Sequence, residues 1–216
     1  TAIGSNASAL SDGSQAFGAN ALANDVNALA IGFDSIANAV NASAIGVNSL
    51  ANDTNAQAFG VDSLANAANA VAIGVKSRSE ATNSIAIGST ANSTKANSVA
   101  VGTLSTSDGV NATAIGTDAG ALAANTTAIG PCSRAGSNNA VAMGYIACAI
   151  DVNSIAIGTK TFATGHNSTA IGTEATACGV NSIAIGPSAN ANGVNSSAIG
   201  LNAHANGSNS QAFGRD

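Results

Sequence analysis

Small, apolar and polar positions follow one another in a fixed order that returns every fourteen residues, from Ala2-Ile3-Gly4 to Ala212-Phe213-Gly214, with no insertion anywhere. The tripeptide Ala-apolar-Gly occurs sixteen times in that register. A period this strict is the signature of a solenoid, whose repeats are too short to bury a core alone and are stabilised by stacking on their neighbours. Such a rod of stacked coils carries function on its surfaces rather than in a pocket.

Numbering the coil from the Asn of Asn83-Ser84-Ile85-Ala86-Ile87-Gly88 puts Ala, the apolar residue and Gly in columns 4, 5 and 6. Column 1 is Asn in every copy from Asn27 to Asn209 and Gly13 in the first; column 9 is Ala or Ser except at Thr161; column 11 is always Ala or Ser. Successive residues of a strand face opposite sides, so columns 2 and 4 share one face and columns 3 and 5 the other, while columns 9 and 11 repeat the argument on a second strand. The uniformly small columns 4, 9 and 11 are therefore the interior of a two-stranded coil too narrow for Leu. Gly in column 6 supplies a positive φ or a close backbone approach, and Asn in column 1 is read as a turn residue bonding nearby backbone. Columns 8, 10 and 12 are read as outward positions of the second strand. The predicted class is all-β, a two-stranded parallel β-solenoid running over 1–216 as one continuous array, and the chain is read as a fragment of something longer.

Column 5 holds Ile3, Phe17, Ile31, Ile45, Phe59, Ile73, Ile87, Val101, Ile115, Ile129, Met143, Ile157, Ile171, Ile185, Ile199 and Phe213, on the face opposite the small interior. Burial of one large apolar side chain is worth about 1.5–3 kcal/mol, so a ridge of these left in water forfeits tens of kcal/mol. The expectation is lateral association with identical chains, closed around an axis lined by the ridge.

At this point the residues become specific. Asn-Ser-Ile-Ala-Ile-Gly at 83–88, 153–158 and 181–186, and Asn-Ser-Val-Ala-Val-Gly at 97–102, resemble the head repeat of the trimeric autotransporter adhesins, whose type member is the Yersinia adhesin. The resemblance covers essentially the whole chain. It implies a left-handed parallel β-roll, three of which pack into a homotrimer with column 5 at the interface. It also implies a virulence-associated head held outside the bacterial cell on a coiled-coil stalk, with a β-barrel outer-membrane anchor that this chain does not contain. The implied function is non-enzymatic cell adhesion to host matrix, host cells or other cells through an extracellular protein or cell-surface ligand. From the residues alone, a structural or receptor-binding shaft of a phage or viral fibre shares the fold and the trimer and stays open.

Composition narrows the alternatives. Charged residues are 8% and aromatics 3%, too few charges for a disordered polyelectrolyte and too few rings for an ordinary globular core. The net charge is −5, and the basic residues Lys76, Arg78, Lys95, Arg134, Lys160 and Arg215 are scattered, so no basic stripe tracks phosphates and no nucleic-acid partner is expected. Apolar runs never approach the ~20 residues of a membrane helix. Cys132, Cys148 and Cys178 form an odd set without the spacing of a metal pair, and are read as small surface residues without a disulfide. His166 and His204 lie in different columns three coils apart. No nucleophile, base and orienting group come together, and neither a phosphate-loop motif nor a calcium-binding repeat is present, so neither catalysis nor a cofactor is expected. Thr113 with Thr127, and Thr159 with Thr173, align too briefly for the full ladder of an ice-binding solenoid.

One local pattern stands out among the outward columns. Leu22, Ile36, Leu50 and Leu64 occupy column 10 of four successive coils beside Asn24, Asn38, Asn52 and Asn66 in column 12. At ~4.8 Å per coil they form an apolar stripe of about 15 Å, the candidate partner-binding surface.

Overall fold

The computed structural model describes residues 1–214; Arg215 lies outside them. Contacts divide the chain into two compact units, 1–108 and 109–216, built in the same way. Each coil contributes a three-residue strand and a two-residue strand, as in Ile85–Ile87 and Asn92–Ser93 of the first unit and Ile155–Ile157 and Phe162–Ala163 of the second. Long strands pair with long and short with short, always parallel and always in the fourteen-residue register: Ile85 with Val99, Ala86 with Ala100 and Ile87 with Val101, or Cys148 with Phe162 and Ala149 with Ala163. Each unit is thus two parallel sheets enclosing one thin core.

The core contains only what fits between the sheets. Ala86, Ala91, Ser84 and Ser93, in columns 4, 9, 2 and 11, are fully buried, and the largest fully buried side chains are Thr126 and Thr161. Some of the buried Ser hydroxyls are satisfied locally: Ser35 Oγ donates to the Gly32 carbonyl at 3.0 Å, and the Oγ atoms of Ser79 and Ser84 meet across the core at 2.5 Å, whereas the Oγ atoms of Ser133, Ser168, Ser182 and Ser196 have no such partner among the described residues. The bonds offset the cost of burying those hydroxyls, since an unpaired one in a dry interior is costly.

Two expectations about the turns need correction. Column 8 is not part of the second strand: every residue there, from Asn6 to Asn202, has a left-handed backbone, including Lys76 (φ 56°), Thr90 (φ 57°) and Ile146 (φ 56°). Column 1 has the same geometry, as at Asn83 (φ 58°), so the coil is two similar seven-residue halves, each turned by one left-handed residue. Sequence variation in column 8 hides this because chain closure imposes the conformation whatever the side chain. The second correction concerns the column 1 amides, which bond one another rather than the backbone. Asn69 Nδ2 donates to Asn83 Oδ1 at 3.0 Å and Asn83 to Asn97 at 3.1 Å, and in the second unit Asn139, Asn153 and Asn167 continue the same pattern. Each side chain therefore accepts from the coil below while donating to the coil above, forming an amide ladder on an exposed edge.

Candidate functional site

The column 5 side chains leave their own coil, as alternation requires. In the first unit Ile31, Ile45 and Ile87 are more than a third exposed, and in the second Ile115, Met143, Ile157, Ile171, Ile185 and Ile199 are equally so. Phe17, Phe59, Ile73, Val101 and Ile129 are half-buried, while Ile3 and Phe213, at the chain ends, are the most exposed. Stacking within the column covers part of each side chain and leaves a flat apolar strip on the long-strand sheet of each unit.

The column 10 stripe lies on the opposite sheet. Leu22 pairs with Ile36, Ile36 with Leu50 and Leu50 with Leu64, so the four residues form an uninterrupted file, each half-buried against its neighbours. Beside them runs an amide ladder in column 12, with Asn24 donating to Asn38 at 2.6 Å, Asn38 to Asn52 at 2.8 Å and Asn52 to Asn66 at 2.7 Å. The file ends where Leu64 pairs with Arg78. There, columns 8 and 10 flank a shallow groove of about 480 Å³ lined by Asn48, Leu50, Asp62, Ser63, Leu64, Lys76, Arg78 and Thr90. Arg78 is held by Glu80 at 2.7 Å, and Asp62 accepts from Asn48 at 3.1 Å, leaving the Lys76 ammonium free of any ion pair among the described residues. Sequence reasoning found the apolar file but not this polar end. Reading columns 8 and 10 together across neighbouring coils would have exposed it.

The remaining candidates do not assemble into chemistry. Cys132 and Cys178 are exposed and Cys148 is half-buried, and all three are free thiols. Burial pushes the Cys148 thiol above its ordinary pKa, with the Arg134 guanidinium of the adjacent coil opposing that shift. His166 Nδ1 lies 3.8 Å from Asp151 Oδ1 on the surface. Among the described residues no group of three or more His, Cys, Asp or Glu is placed to hold a metal, and no helix is long and apolar enough to cross a membrane.

The same repeat is recognised in the comparison with known families. The model of the YadA head domain repeat matches at residues 1–21, 12–35, 37–56, 54–77, 79–105, 107–131, 135–161, 149–175, 163–189, 177–203 and 191–216. The chain belongs to the YadA head family, the heads of trimeric autotransporter adhesins. Among solved structures, the collagen-binding domain of the Yersinia adhesin YadA is similar over 63% of this chain and 68% of its own, with 31% sequence identity and a TM-score of 0.51. Comparison with curated protein sequences finds no match. The YadA head assignment accounts for both sheets and for the Asn-Ser-apolar-Ala-apolar-Gly motif, and the comparisons offer no support for a phage or viral fibre.

Proposed function

We propose that this YadA head is the passive, non-enzymatic end of a homotrimeric adhesin on the bacterial cell surface, attaching to host matrix, host cells or other cells through many weak contacts. The column 5 strip carries this reading. It is the one apolar surface repeated in every coil of both units, and a second and third copy of the chain are the natural cover for it. With that sheet turned inward, the short-strand sheet faces outward, bearing the Leu22, Ile36, Leu50 and Leu64 file. Tethered repetition of one weak contact raises effective concentration, so modest sites suffice for firm attachment.

The YadA domain to which this chain is similar is collagen-binding. Immobilised collagen is therefore the first extracellular ligand to test, followed by other matrix proteins and intact host cells. Beads coated with the chain are expected to be retained on at least one of these surfaces, and less so when Leu50→Ser and Leu64→Ser are introduced together. Retention no greater than that of albumin-coated beads on all of them contradicts the adhesive reading.

A further inference from the structure

The second unit carries a surface patch that neither the core nor the column 5 strip requires. Tyr145 and Ile150 are 49% and 43% exposed, on the coil that also holds Ile146 and Cys148, and Phe162, 38% exposed, pairs in register with Cys148 on the next coil. Ile150 stays uncovered because its neighbour one coil back, Gly136, has no side chain; a Cβ there would stand 3.3 Å from the Ile150 Cα. Ile146 adds backbone strain: a β-branched residue is held at φ 56°, at a turn position where Asn6, Asn20, Asp34, Asn48, Asp62, Asp118 and Asn202 suit the left-handed backbone better.

The charges around the patch are specific. Arg134 pairs in register with Cys148 from the coil before, and Lys160 follows Ile146 one coil on, its backbone N–H donating to the Tyr145 carbonyl at 2.8 Å. These are the only basic residues described in the second unit of a chain whose net charge is −5, and neither forms an ion pair among the described residues. Two acidic groups stand nearby. Asp151 accepts the Val152 N–H at 2.7 Å and faces His166, while Glu174 lies one coil beyond Lys160 in column 8.

We propose that Tyr145, Ile146, Ile150 and Phe162, flanked by Arg134 and Lys160, form a docking surface for an extended acidic peptide segment bearing apolar side chains. Tyr and Arg are the residue types that dominate protein interfaces, and exposed rings beside unpaired cations fit a partner that supplies carboxylates around a hydrophobic anchor. A carbohydrate fits less well. Its hydroxyls need partners, and among the patch residues only the Tyr145 hydroxyl offers one besides the cations. Arg134 and Phe162 lie on the short strands, on the sheet opposite the column 5 strip, and Tyr145, Ile146 and Lys160 on the turn that leads into them.

The test uses the intact chain and a fluorescein-labelled peptide of sequence Asp-Leu-Phe-Asp-Asp-Leu-Phe-Asp, its counterpart with Lys for Asp, and polysialic acid. Fluorescence anisotropy is expected to rise saturably with the acidic peptide and not with the basic one. Binding should weaken at least tenfold in the Arg134→Glu/Lys160→Glu double variant and in the Tyr145→Ser/Phe162→Ser double variant, both checked for an unchanged circular dichroism spectrum. No saturable binding, equal binding of the Lys counterpart, or indifference to both double variants overturns the proposal. So does binding of polysialic acid, rather than the peptide, through these residues. Failure here leaves retention on collagen and cells unaffected, so it does not count against the adhesive reading.

Discussion

A Cβ built on Gly88 would stand 2.5 Å from the carbonyl oxygen of Gly102, the equivalent residue one coil on, and Gly88 itself has φ +134°. Two constraints thus meet at one atom: the backbone conformation disfavours any side chain, and the next coil leaves no space for one. Gly88→Ala is expected to destabilise the chain by about 2–4 kcal/mol, read as a lower denaturation midpoint in urea at unchanged slope. A cost below 1 kcal/mol would mean that the coils are stacked less closely.

The amide ladder makes a graded prediction. Asn83 both accepts from Asn69 and donates to Asn97, and it occupies a left-handed turn. Asn83→Ala loses two hydrogen bonds and the left-handed preference together, for a cost of about 2–3 kcal/mol, whereas Asn83→Gly keeps the turn and costs about 1–2 kcal/mol. Denaturation of the two variants side by side should reproduce that order; equal losses would assign the column to turn geometry alone.

Relief of strain at Ile146 should separate stability from binding. Ile146→Asn introduces a residue suited to φ 56° and is expected to raise stability by about 0.5–1 kcal/mol while weakening the acidic peptide. A variant that loses stability would show that the side chain supports the fold.

The cysteines differ in environment, and their alkylation rates should reveal it. Burial raises the Cys148 pKa, so at a pH just below the ordinary thiol value a smaller fraction is thiolate than in a free cysteine. With Cys132 and Cys178 replaced by Ser, iodoacetamide should modify Cys148 more slowly than it modifies free cysteine, and the pH–rate profile should inflect at a higher pH. An inflection at or below that of free cysteine would mean that the Arg134 charge outweighs burial.

How much of this was legible in the sequence depended on how many residue types each position accepts. Columns 4, 6, 9 and 11 tolerate only small residues, because the Ala86 and Ala91 sites have no room and Gly88 touches the next carbonyl, so composition alone revealed the core and one turn. Column 8 was misread because a left-handed backbone costs only about 1–2 kcal/mol, which the stacked coil can absorb at Thr90, Leu104 and Ile146, so its Asn and Asp residues, such as Asn48 and Asp62, do not form an unbroken column. The ladder was missed for a different reason. Asn83 suits a left-handed turn and a local backbone bond equally well, and only the fourteen-residue register shows its amide facing Asn97 instead. The apolar file from Leu22 to Leu64 was readable because one column repeats one residue type, whereas the groove and the Tyr145 surface combine columns and become visible only once the coils are stacked.

The most direct test of the account is the solution mass of the chain by light scattering, alone and with Ile87→Asp, Ile115→Asp and Ile157→Asp introduced together. Three chains are expected for the parent, falling to dissociated or aggregated material in the variant, because a carboxylate in the apolar strip cannot be buried against another copy. A monomeric parent, or a variant with unchanged mass, would contradict the assignment of column 5 as the surface that joins the chains.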